Sequence, residues 1–215
     1  MYNDSYSDSY TSDNPLAVLK PTKEPRRYTL SEYLKKLENS EELYEYYDGT
    51  ITKLPMARIP HNTIIMNIGT ALNNAIEATN KPYRVMGGQQ AVYIPKLNVS
   101  VFPDVVVVTE NPVSYDNTDV LLTNPILIFE TLSRSTKSYD RKEKFSMYKT
   151  LDSVKEYVLV EQNICHVESR FREEPDLWRD KTVTDISSSL YLKSIDCTID
   201  LQRIYKHIAF KNLKK

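Results

Sequence analysis

Two short apolar runs stand out of the hydrophobic pattern, Phe102–Thr109 (FPDVVVVT) and Pro125–Leu132 (PILIFETL). Each is branched-aliphatic in character and bounded by proline or polar residues, which predicts buried strands. Each also carries one carboxylate, Asp104 at the mouth of the first and Glu130 near the end of the second. Before them, Thr29-Leu-Ser-Glu32 has capping-box spacing and leads into Leu30, Tyr33, Leu34 and Leu37 at helical intervals. Leu43–Leu54 alternates in part around Asp48-Gly49, the strongest two-residue hairpin signal in the chain. Pro60-His61-Asn62 opens a second helix with Ile64, Ile65, Ile68, Leu72 and Ile76 on one face. Tyr83–Ile94 reads as a strand interrupted by Gly87-Gly88, a bulge or a close backbone approach.

Beyond the Glu130 run, Asp140-Arg-Lys-Glu143 starts a helix whose face continues through Phe145, Tyr148 and Leu151. Glu156–Glu161 is a further strand, turning at Gln162-Asn163 into Ile164–Phe171. A strand pair around Leu190–Ile199 and a terminal helix over Leu201–Ile208 complete the expected elements. Residues 1–25 are rich in Ser, Asp, Tyr, Asn and Pro without apolar periodicity and read as a disordered or loosely docked tail. The expectation is one domain over residues 26–215, with the last strands and helix as a C-terminal extension.

Composition narrows the function classes. At 215 residues, 40% hydrophobic and 27% charged, the chain suits a globular domain with a real core. No apolar run approaches the roughly 20 residues of a membrane-spanning helix, and the first residues lack a basic stretch followed by an apolar one, so no secretory signal is read there. Cys165 and Cys197 have neither CxxC spacing nor a disulfide framework, and a reducing, cytoplasmic setting is expected. Only four glycines occur, without GxGxxG or GxxxxGK, which argues against a glycine-rich phosphate loop. The net charge of −1 argues against a generic nucleic-acid binder that works by basic excess. Basic clusters at 20–27, 137–144 and 206–215 read first as solvated faces. Exposed apolar strands or a tyrosine-rich surface (16 Tyr) would suit a homodimer.

A carboxylate inside a buried strand is costly unless it is paired, hydrogen-bonded or bound to a cation. On neighbouring strands Asp104 and Glu130 would form an acidic site for a divalent metal. The plainer alternative has Asp104 capping a turn after Pro103 and Glu130 ending its strand in solvent. His166 and His207 show no ligand spacing, and Ser133-Arg-Ser-Thr136 has no evident histidine partner for a nucleophile. Gln89 and Gln90, after the glycine pair, are candidates to line a cleft or to serve a strand edge.

From Pro60 to Glu161 the order is helix, three strands, helix, strand, with the carboxylates on the second and third strands. This resembles the restriction-endonuclease-like core of the PD-(D/E)xK superfamily, an α/β (α+β) fold, here preceded by a helix and a β-hairpin. More closely, Tyr44–Gly49, Pro60-His61, Pro103–Val107, Phe129–Ser133, Tyr139–Lys144, Tyr148 and Val154–Val160 together resemble the Uma-type endonuclease family. The resemblance implies a metal-dependent endonuclease acting on nucleic acid, DNA first, with Asp104 and Glu130 holding Mg²⁺ or Mn²⁺. The superfamily pattern expects lysine two residues after the acidic position, where this chain has Leu132. Residues two apart share a strand face, so that face lacks its cation, and the resemblance moves the role to Lys144 on the next helix rather than to Lys142. Glu45 matches an acidic position near the hairpin, as a supporting group, an additional ligand or a plain strand-edge glutamate. His61, at a helix start, would contact phosphate or a catalytic carboxylate, or simply be structural. Leu132 and the balanced charge leave open a non-catalytic nucleic-acid- or protein-binding module that keeps the nuclease fold.

Overall fold

A computed structural model describes residues 26–210; the tail expected over residues 1–25 lies outside them. Helix α1 (Leu30–Glu38) begins at a complete capping box, the Thr29 hydroxyl accepting the Glu32 N–H and the Glu32 carboxylate accepting the Thr29 N–H. Strands β1 (Tyr44–Tyr47) and β2 (Thr50–Lys53) form the hairpin at Asp48-Gly49, whose φ angles of 41° and 97° are those a tight two-residue turn needs. Helix α2 (Ile59–Thr79) starts with Pro60 in its first turn and buries Ile64, Ile68, Leu72 and Ile76. No helix among the described residues is long and apolar enough to cross a membrane.

Tyr83–Ile94 is two strands rather than one. β3 (Tyr83–Gly87) and β4 (Ala91–Ile94) belong to different sheets, and the chain crosses between them at the glycine pair. The Gly88 N–H donates to the Asp104 carbonyl at 3.0 Å, and a Cβ on Gly87 would stand 3.2 Å from that same oxygen. The glycines therefore mark a close backbone approach, made at the residue that carries the first carboxylate.

Next come β5 (Val99–Val101), β6 (Val105–Thr109), the short β7 (Leu121–Leu122) and β8 (Leu127–Leu132). A helical segment follows, α-helical over Lys137–Tyr139 (α3), widened to a π turn over Asp140–Lys144, and α-helical again over Phe145–Tyr148 (α4). Then β9 (Glu156–Glu161), β10 (Val167–Glu174), β11 (Leu177–Val183), β12 (Ser189–Leu192), β13 (Cys197–Asp200) and α5 (Leu201–Ile204) follow. Among the described residues three sheets result, ordered β2-β1-β5-β4-β7, β11-β10-β9-β8-β6-β3 and β12-β13. The expected core order runs through α2, β3, β6, β8, the helical segment and β9, with β6 antiparallel and β9 parallel to β8. β11, unforeseen in the sequence, is a largely exposed strand at the sheet edge with no apolar alternation. The last helix stops at Ile204 rather than Ile208, and His207 is left-handed (φ 66°).

The uninterrupted apolar character of β6 and β8 follows from burial on both faces. Val105, Val107, Leu127 and Phe129 pack with Ile64, Ile68 and Leu72 of α2 and with Leu190, Leu192 and Ile199. Val106, Val108, Ile128 and Leu132 face Tyr148, Leu151 and, from the five-stranded sheet, Val92, Ile94 and Val101. Leu132 is fully buried there, an ordinary core residue on the face where the superfamily pattern expects a lysine.

Candidate active site

Between β5 and β6 the chain leaves one sheet and enters the other through Phe102-Pro103-Asp104. Phe102 is buried and stands outside both strands, so its peptide groups need other partners. Its N–H donates to Glu45 Oε1 (3.2 Å) and its carbonyl accepts from Lys144 Nζ (3.0 Å). Glu45 on β1 and Lys144 in the π turn thus clamp the corner that presents Asp104.

The antiparallel register pairs Val105 with Phe129, which one step further sets Asp104 opposite Glu130. Like charges in that relation repel unless a cation intervenes. Asp104 Oδ1 lies 3.1 Å from His61 Nε2, and Oδ2 accepts the Thr131 N–H at 2.5 Å. Glu130 Oε1 receives the Lys144 ammonium at 2.8 Å and the Tyr148 hydroxyl at 3.3 Å. Lys144 Nζ also lies 3.8 Å from Glu45 Oε1. Asp104, Glu130, Lys144, Glu45 and His61 therefore converge, and the cation missing at Leu132 enters the same face from the helix. Lys142 is exposed.

The rest of the constellation has no site role in the sequence reading. Asp140, a helix start within the Tyr139–Lys144 piece, is buried and contributes charge at His61, Glu130 and Lys144. Tyr47 donates to Glu45 Oε2, and its oxygen lies 2.5 Å from the Tyr139 hydroxyl, which joins the hairpin to the helical segment. A signal was present, because Asp140, Lys144 and Tyr148 recur every four residues and so share one helical face. The remaining candidates lie elsewhere. Gln90 donates to the Val120 and Ala91 carbonyls and Gln89 is exposed. Ser133 bonds within its own turn to Ser135 and Thr136. His166 pairs with Glu168 at 3.0 Å in a network with Arg141 and Glu161.

The site carries surplus negative charge. Burial pushes the Glu130 carboxyl well above the usual carboxylate range; Lys144 opposes this, while Asp104 and Asp140 add to it. Asp140 is likewise raised, by burial first, against the pull of Lys144. Burial disfavours the Lys144 ammonium, but Glu130, Glu45 and Asp140 outweigh it and hold the lysine protonated above its ordinary value. Burial also acts against a protonated His61, and the hydrogen bond and charge of Asp104 overcome it, so His61 is raised. Tyr139 is pushed up to about 12, mainly by burial. The upward shifts of Lys144 and His61, made against burial, mean that neighbouring carboxylates favour positive charge at this site.

The donor set suits a hard cation, since the side chains that would bind it are carboxylates. Among the described residues no three His, Cys, Asp or Glu side chains form a ready-made metal cage. A cation here would rest on Asp104 and Glu130, with its other positions left to water and substrate oxygens, which is the habit of Mg²⁺.

Two relatives, a solved structure and a family model resemble this chain. Over 140 residues the chain is 32% identical to sll1609 of Synechocystis sp., an uncharacterized protein, covering 65% of this chain and 78% of that one. A second uncharacterized protein of that organism, slr1290, is 28% identical over 179 residues, covering 83% and 92% of the two chains. The fold is similar to that of a putative nuclease belonging to DUF820 from Anabaena variabilis, with a TM-score of 0.65 at 17% identity over 83% of this chain and 97% of that one. The model of the Uma2 family, described as putative restriction endonuclease, matches residues 30–200, a span that contains every residue of the carboxylate–lysine constellation. The chain belongs to the Uma2 family.

Proposed function

We propose that the chain hydrolyses phosphodiester bonds in nucleic acid, DNA before RNA, with Mg²⁺ or Mn²⁺ as cofactor. The observation that carries this reading is the opposition of Asp104 and Glu130 across β6 and β8, with the Lys144 ammonium 2.8 Å from Glu130. Asp104 and Glu130 would hold the cation. When bound, such an ion supplies an acidified water and takes up charge developing on the phosphate. Lys144 contributes a fixed positive charge that stays on its nitrogen and needs no reorganisation during reaction. The Thr131 N–H and the Tyr148 hydroxyl fix the orientations of Asp104 and Glu130. His61 holds a proton at Nε2 against Asp104 Oδ1, so it shields that oxygen until a cation competes for it.

The test is nicking of supercoiled plasmid with Mg²⁺ or Mn²⁺, beside Asp104→Ala and Lys144→Ala proteins shown to be folded. Nicking by the wild type, abolished by chelator and in both variants, is the expected result. Nicking that survives Asp104→Ala would place the chemistry elsewhere or in a contaminant. One feature favours a second reading, a non-catalytic binding module: Lys144 is only 7% exposed and fully engaged by Glu130, Glu45 and the Phe102 carbonyl. Calorimetric metal binding without cleavage of single-stranded, duplex or structured nucleic acid would establish that alternative.

A further inference from the structure

The three most exposed large hydrophobic side chains among the described residues are Met56 (96%), Ile59 (83%) and Met66 (69%), all on α2 or its lead-in. From Ile59 to Ile76 that helix carries no Asp, Glu, Lys or Arg, in a chain where 27% of residues are charged. Its outer face presents Ile59, Asn62, Met66, Gly69 and Asn73, all exposed except half-buried Gly69. Their spacing alternates three and four, the spacing of a seam between two helices. A mid-helix glycine weakens a helix, and nothing among the described residues requires this one, since a Cβ on Gly69 would meet none of their atoms within 4 Å. Depletion of charge with enrichment of methionine marks the core of protein interfaces, whereas nucleic-acid interfaces are strongly basic.

The ends of the stripe identify the occupant. Arg58 precedes it and Glu77 follows it, both exposed and neither in an ion pair with another described residue. We infer that α2 is the seam of a homodimer in which two copies of the helix pack antiparallel about a two-fold axis near Asn67 and Ile68. In that register Met66 of each copy meets Gly69 of the other and fills the open space above it, Asn62 meets Asn73, and Arg58 meets Glu77. A parallel pairing would instead set Arg58 against its own copy. Only a second copy is bound to bring this same neutral stripe with opposite charges at opposite ends, as an isologous interface requires. The face measures roughly 31 Å by 10 Å, about 600 Å² counted over both copies, below the standard size of stable interfaces, so the dimer is weak and reversible. It rests on no catalytic reading; because His61 stands on the first turn of the same helix, pairing would also fix two candidate sites relative to each other.

Sedimentation velocity of the full chain from 1 to 200 μM tests this. The wild type is expected to pass from monomer to dimer, and Met66→Glu to remain monomeric with an unchanged circular dichroism spectrum and melting temperature. Arg58→Glu and Glu77→Arg should each weaken self-association about tenfold or more through two symmetric repulsions. Mixed together they should form a heterodimer as tight as the wild-type dimer, since every pair is again of opposite sign. A wild-type monomer at 200 μM, or a dimer indifferent to Met66→Glu, would overturn the inference. So would a monomer that binds a 20-base-pair duplex and loses that binding in Met66→Glu, which would assign the face to nucleic acid.

Discussion

Replacing Lys144 by methionine keeps much of the side chain's volume and removes its charge, so it isolates what that charge does. Lys144 Nζ lies 2.8 Å from Glu130 Oε1, and the two side chains are 7% and 4% exposed. Breaking a pair so deeply buried, and so leaving one charge uncompensated, costs about 3–5 kcal/mol. Asp104 and Asp140 add to the cost by repelling the stranded carboxylate. Glu130 can escape only by taking up a proton, toward which burial already drives it. The sign follows: the folded-state pKa of Glu130 is raised, so the protonated form favours folding at low pH, and stability falls as pH rises from the unfolded carboxylate pKa through the folded one. Lys144→Met should therefore cost most at pH 8 and distinctly less at pH 5. Adding Glu130→Gln should restore at least half of the loss at pH 8, because replacing both members of a buried pair is far milder than removing one. Urea denaturation at both pH values checks this, followed by the fluorescence of the single tryptophan, Trp178, which packs edge-on against Phe145 beside the site helix. A loss under about 1 kcal/mol at both pH values, or a double variant no more stable than Lys144→Met, would refute the idea that this lysine neutralises a buried carboxylate.

Two further outcomes follow from the same geometry. His61 has a raised folded pKa, so its pair with Asp104 stabilises fully below the unfolded histidine value and less as pH rises through the folded one. Stability measured against His61→Ala should show an advantage of about 1–2 kcal/mol at pH 6 that shrinks by pH 9, and an advantage that grows with pH would contradict the pairing. Leu132→Lys, which restores the superfamily's motif lysine, should not raise activity and should destabilise by about 3 kcal/mol or more, since Leu132 lies in the core beside Ile128 and Tyr148; plasmid nicking and a thermal melt of that variant decide it.

What the sequence revealed depended on whether the physics was local. The Thr29 capping box, the Asp48-Gly49 hairpin and the apolar face of α2 were legible because each is settled within a few residues. Asp104 and Glu130 stood out because a carboxylate in an apolar run is anomalous on its own terms. Lys144 was a different matter. Its four-residue spacing from Asp140 and Tyr148 is the one local difference from Lys142, and family resemblance selected it, because its neighbours Phe102 and Glu45 are far away along the chain. The crossing at Gly87-Gly88 was half legible: the glycines signalled something unusual, but the Asp104 carbonyl that explains them lies on another strand. β11 gave no signal, since an exposed edge strand of mixed charge has no burial to impose alternation.

Lys144 does two jobs that cannot be pulled apart. It opposes the charge of Glu130, and with Glu45 it satisfies the carbonyl and the N–H of Phe102, the buried residue at which the chain changes sheets. A lysine two residues beyond Glu130 on the strand would serve the first task alone. By supplying the charge from the helical segment, the chain ties the β1 hairpin, the β5–β6 corner and the π turn to one ammonium group. The consequence is experimental. Loss of activity in a Lys144 or Glu45 variant cannot be read as loss of chemistry until the corner is shown to be intact. Asp104→Ala is the cleaner variant, because that side chain is held by His61 and the Thr131 N–H and supports no peptide group of the corner.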